Sequence, residues 1–83
     1  MEYLIATYRS RSKAIEVFNT LKSSGYGCFL ATTPQSAKVG CGLSVRFGNQ
    51  DFENLRPYLS KVASFSGFFR VININGKTIL TAI

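Results

Sequence analysis

Tyr3-Leu4-Ile5-Ala6-Thr7-Tyr8 is followed, after Arg9-Ser10, by Arg11-Ser12-Lys13-Ala14-Ile15-Glu16-Val17-Phe18-Asn19-Thr20-Leu21-Lys22-Ser23-Ser24-Gly25, and the change of period between these two runs decides the fold. The first run is apolar almost throughout and rich in aromatic and branched side chains, which suits a strand in the middle of a sheet. In the second, Ala14, Val17, Phe18 and Leu21 fall at i, i+3, i+4 and i+7, one face of a helix. Ser10 or Ser12 can accept a hydrogen bond from an open amide of the first turn. Gly25 offers the left-handed backbone that commonly closes a helix. The spacing predicts a strand over 3–8 and an amphipathic helix ending near Ser24.

Working outward, 26–32 is again strand-like, with Cys28 and Leu30 on one side and Phe29 and Ala31 on the other. Thr33-Pro34 stops this strand, because proline has no amide hydrogen to give a ladder, and 35–40 carries no amphipathic period and is expected as a loop. Leu43, Val45 and Phe47 then alternate with Ser44 and Arg46, the period-two pattern of a third strand. After Gly48-Asn49, Phe52, Leu55, Leu59 and Val62 recur at helical intervals over about 50–62, with Pro57 expected to kink or divide that helix. A fourth strand over 68–74 meets Asn75-Gly76, a strong hairpin signal, and a fifth follows over 77–82. The order β-α-β-β-α-β-β predicts an α+β protein: a ferredoxin-like sandwich, two helices on one face of an antiparallel sheet, with an additional C-terminal hairpin strand. Residues 1–83 are expected to form one domain.

Composition narrows the chemistry. The chain has no histidine, which removes Ser-His-Asp and Cys-His catalysis and any imidazole metal site. Four carboxylates (Glu2, Glu16, Asp51, Glu53) and two cysteines (Cys28, Cys41) leave few ways to build a metal site, and neither a metal nor a cofactor is expected. Asp51 and Glu53 open the second helix, where negative charge favours the positive end of the helix dipole, and are read as stabilisers. The longest apolar runs, 3–6 and 28–31, are far short of the roughly twenty residues of a membrane span. The amino terminus shows no secretory pattern, so a cytoplasmic location and free thiols are expected. Ten Lys and Arg against four acids give a charge of +6, which attracts nucleic acid, anionic ligands or acidic protein surfaces. The basic residues are dispersed, as on a well-solvated surface.

The segment Gly40-Cys41-Gly42-Leu43-Ser44-Val45-Arg46-Phe47 sets a thiol between two glycines where a loop enters a strand. Glycines let a ligand approach the backbone closely, so Cys41 is expected to be more accessible than Cys28, whose place in a strand resembles a core thiol. Lys38 and Arg46 are expected to favour the nucleophilic thiolate, with Ser36, Gly40 and Gly42 completing the candidate binding surface. Lys38 with Ser36 is a pairing found on any surface loop and gives no hydrolase. Gly40-x-Gly42 lacks the third glycine and following helix of a dinucleotide site.

The sequence resembles the selenium/sulfur carrier protein-like family of small bacterial domains. The features that carry the resemblance are Tyr3-Leu4-Ile5-Ala6-Thr7-Tyr8, a helix with Ala14 and Leu21-Lys22, then Gly25, Thr33-Pro34 and above all Cys41-Gly42-Leu43-Ser44-Val45-Arg46-Phe47, over about 3–70. The resemblance implies a cytoplasmic, non-enzymatic carrier whose Cys41 holds sulfur or selenium as a persulfide or selenide and exchanges it with protein donors and acceptors. The chain departs from the family in its basicity and in the segment 72–83, and it lacks the Cys-Pro-x-Pro element of other sulfur-relay proteins.

Two other readings stand beside this one. Ser66-Gly67-Phe68-Phe69-Arg70-Val71 is loosely similar to the aromatic signature of RNA-recognition domains, so a nucleic-acid-binding module is one alternative. The other is a protein-interaction module, including a homodimer through an open sheet face, where Tyr8, Phe29 and Val71 are expected, or through an edge strand.

Overall fold

The structure, a computed structural model, describes residues 2–34 and 42–83. In chain order the elements are β1 (Glu2–Tyr8), α1 (Arg11–Ser23), β2 (Cys28–Thr32), β3 (Leu43–Phe47), a 3-10 turn at Asn49–Asp51, α2 (Phe52–Lys61), β4 (Phe65–Ile74) and β5 (Lys77–Ala82). They build one five-stranded sheet in the order β2-β3-β1-β4-β5, and every pairing is antiparallel. The α+β class, the two helices and the terminal hairpin strand are as the sequence predicts.

Local chemistry sets the boundaries. Ser10 caps α1, its hydroxyl accepting from the Lys13 amide at 3.3 Å. Past the other end, Gly25 has φ +89°, and the Tyr26 amide returns to the Leu21 carbonyl at 3.0 Å. Asn75 and Gly76, at φ +49° and +80°, form the tight turn that starts β5. Pro57 does not divide α2, which runs unbroken from Phe52 to Lys61. The carbonyl its missing amide would have met belongs to exposed Glu53, which water can satisfy.

Strand parity then distributes the side chains. Leu4, Ala6 and Tyr8 of β1, Val45 and Phe47 of β3 and Phe68 of β4 point to one side, where they meet Ala14, Val17 and Leu21 of α1 and Leu55 and Leu59 of α2 in one apolar cluster. Both helices therefore pack on the same face. Aromatic edges tighten this layer: Tyr8 meets Phe65 at 5.8 Å, and Phe52 meets Phe68 at 5.2 Å between centroids.

The opposite face corrects part of the sequence reading. Tyr8 is not on it: it is fully buried under α2, and its hydroxyl donates to the Leu59 carbonyl at 2.9 Å. Val71 does sit opposite Tyr3, away from the helices, but it is buried. Phe29 is on that face and exposed, as expected.

Candidate functional site

In sequence, the glycine-flanked Cys41 falls between β2 and β3. The two strands pair through Phe29↔Arg46 and Leu30↔Val45 to Thr32↔Leu43. One step further the Thr33 amide donates to the Gly42 carbonyl at 2.9 Å, pinning the base of the connection. Gly42 has φ +89°, and an added Cβ would meet nothing within 4 Å. Glycine is thus required there by the backbone turn rather than by crowding. Ser36, Lys38, Gly40 and Cys41 lie outside the described residues. Gly42, bonded to Cys41, is the nearest described point of the predicted site.

Arg46 lies at the far end of β3, four residues from Gly42, a separation of about 13 Å along an extended strand. Its guanidinium carbon sits 3.9 Å from the ring centroid of Tyr3 and 5.9 Å from that of Phe29. These side chains, with Glu2, Gly27, Gly48 and Gln50, line a cleft of about 230 Å³. The sequence pointed to Arg46 and Phe29 separately; it gave no sign of Tyr3, because their meeting depends on the register of three strands.

Cys28 behaves as a core thiol. It is 6% exposed, packs in the cluster beneath α1, and its sulfur donates to the Phe18 carbonyl at 3.8 Å. Burial pushes its pKa up, only partly offset by the nearby Lys22 ammonium. Such a thiol is a poor nucleophile at neutral pH.

Asp51 and Glu53 stand in the opening turns of the 3-10 segment and α2, as their dipole role requires. Among the described residues no three Cys, Asp or Glu side chains come together as a metal-binding group. No helix among them is long and apolar enough to cross a membrane.

The family model described as "Putative Se/S carrier protein-like" matches residues 3–64, about three quarters of the chain, from β1 through α2. No curated protein and no solved structure matches the chain.

Proposed function

The chain belongs to the Se/S carrier protein-like family, and from that premise we propose that it carries a sulfur or selenium atom on the thiol of Cys41, receiving it from one protein and passing it to another. The observation that carries the choice of residue is the burial of Cys28. Of the two cysteines in the chain, that one is enclosed in the core, engaged with the Phe18 carbonyl and raised in pKa. A carrier sulfur able to meet a partner is then Cys41.

In the proposed step the Cys41 thiolate attacks the outer sulfur of a donor persulfide, R–S–SH. The donor S–S bond breaks, R–S⁻ leaves with the electron pair, and a new S–S bond forms to give Cys41–S–SH, the proton remaining on the outer sulfur. One S–S bond replaces another, so no oxidant, cofactor or metal is required. Delivery to an acceptor thiolate is the same exchange in reverse. The chain acts as a carrier and not as an enzyme, and the reducing cytoplasm, where thiols stay free, suits this chemistry.

The topology supports the ferredoxin-like reading of the frame. What supports it is the run β4-β1-β3-β2 with both helices on one face; the five-stranded order departs from a four-stranded sandwich by β5, which lies beyond β4.

The test is loading with a small persulfide. Reduced protein is mixed with glutathione persulfide, freed of excess reagent and weighed intact. Wild type and Cys28→Ala gain about 32 Da, the mass of one sulfur, and Cys41→Ser does not. Equal loading of Cys41→Ser, or no loading of wild type, overturns the assignment.

A further inference from the structure

The helices leave one end of the sheet uncovered. Among the described residues, the apolar cluster beneath them takes in Phe68 of β4 but nothing beyond it and nothing from β5. Leu4 stands on the helix side of β1 opposite Arg70, and Arg70 stands opposite Thr81, so Ile72 and Ile74 of β4 and Ile79 of β5 fall on that side too. Ile83, whose amide donates to the Phe68 carbonyl at 3.2 Å, carries the row on. Ile74, Ile79 and Ile83 are 50%, 46% and 43% exposed. β5 is also an edge, paired with β4 alone. Ladder bonds alternate in direction along an antiparallel strand, and the Ile83 amide turns inward. Lys77, Ile79 and Thr81 therefore bond to β4, while the amides and carbonyls of Thr78, Leu80 and Ala82 face out. Nothing guards that edge: Thr78-Ile79-Leu80-Thr81 holds no charge and no proline.

We propose that β5 is the interface of a homodimer, two copies pairing β5 to β5 antiparallel about a two-fold axis so that their five-stranded sheets become one. The register follows from which groups face out. With Leu80 opposite Leu80, Thr78 of each copy faces Ala82 of the other, and every outward amide and carbonyl of β5 finds a partner. Centred on Ile79 instead, Ala82 would meet the turn at Gly76 and stay unpaired. On the helix side, centring on Leu80 sets Ile79 opposite Thr81 of the second copy and diagonally beside the other Ile79, and lays Ile83 against the Lys77 stem.

Charge selects the occupant. Lys77 is the one charged residue of β5 and lies at its end, so the two Lys77 positions stand about 20 Å apart in this register, well beyond the Debye length of about 8 Å. Arg70, the one cation of β4, is paired with Glu2 at 2.9 Å. An acidic partner drawn by the net charge of +6 would settle where the cations are, whereas this strand is neutral along its middle and matches itself. Pairing six residues a side and covering the isoleucines buries on the order of 1,000 Å² in total, the lower bound of a specific interface, so the dimer exchanges with monomer. β2, the described strand that precedes Cys41, is the opposite edge of the sheet, and neither this inference nor the carrier reading depends on the other.

The test is sedimentation equilibrium in reductant, which excludes disulfide-linked dimers, over about 1 µM to 1 mM protein. Wild type passes from monomer to dimer across this range and goes no further. Ile79→Lys, at an exposed position where lysine sets like charges across the seam, weakens the dimer by about tenfold or more. Leu80→Pro removes the central outward amide without touching the bonds to β4, and stays monomeric throughout. Phe29→Lys on the edge strand β2 and Cys41→Ser dimerise as wild type. Circular dichroism verifies that each variant is folded, and Ile79→Lys keeps the comparison valid if Leu80→Pro is not. The proposal is overturned if wild type stays monomeric to about 1 mM, if species larger than a dimer form, or if neither β5 variant weakens the dimer. It is also overturned if Phe29→Lys dissociates the dimer as much as Ile79→Lys, which would assign the interface to β2.

Discussion

Replacing Tyr8 by Phe removes one oxygen and keeps the ring, so its effect can be worked out with little ambiguity. Tyr8 is fully buried at the end of β1, and its hydroxyl donates to the Leu59 carbonyl at 2.9 Å. Leu59 lies in the last turn of α2, where carbonyls have no partner within the helix, and it too is buried. Without the hydroxyl that carbonyl is shut away from water with nothing to bond, at a cost of about 1–3 kcal/mol. For a domain of this size each kcal/mol lowers Tm by about 4–8 °C, so a fall of roughly 4–24 °C is expected.

A pH signature goes with it. Burial, with Tyr58 nearby, holds the folded Tyr8 phenol well above its ordinary pKa of 10.0. The unfolded chain therefore releases this proton first. The stability it contributes is complete below about pH 10 and is lost as pH rises above that, at up to about 1.4 kcal/mol per pH unit. The gap between wild type and Tyr8→Phe should consequently close within one to two pH units above 10. Urea melts of both proteins from pH 7 to 11 read both effects. Equal midpoints at pH 7, or a gap that stays constant above pH 10, would refute the reasoning.

Two further outcomes follow from the same structure. In the Cys41→Ser protein, Cys28 should react with a thiol reagent far more slowly than a free peptide thiol, and denaturant should restore the full rate; rapid labelling of the native protein would contradict its place in the core. Gly25→Ala should destabilise by about 1–2 kcal/mol through its left-handed backbone alone, since space for the Cβ is free, and an unchanged denaturation midpoint would show that the turn relaxes at no cost.

The frame was legible wherever a single residue dictates backbone geometry. Gly25, Thr33-Pro34 and Asn75-Gly76 each mark a real boundary, and the alternation of Leu43, Val45 and Phe47 gives β3 its buried side. Pro57 misled because the price of a missing amide depends on what its carbonyl partner faces, and here that partner is exposed. Tyr8 misled for another reason: in a strand apolar on both sides, composition hides parity, and only the pairing with β3 and β4 reveals that Tyr8 follows Leu4 and Ala6 into the core. Of the candidate site, the core place of Cys28 was readable from its position in a strand, and its burial agrees; Cys41 lies outside the described residues. The meeting of Tyr3, Arg46 and Phe29 was not readable, because residues 26 and 17 positions apart in the chain become neighbours only through strand register.

The central claim, that Cys41 holds a transferable chalcogen atom, is tested most directly by the mass of the protein purified from cells without reductant. A fraction heavier by about 32 Da for sulfur or about 79 Da for selenium, mapped by fragmentation to Cys41 and removed by dithiothreitol, is the predicted result. A bare thiol at Cys41 in every preparation, with any adduct confined to Cys28, would contradict it.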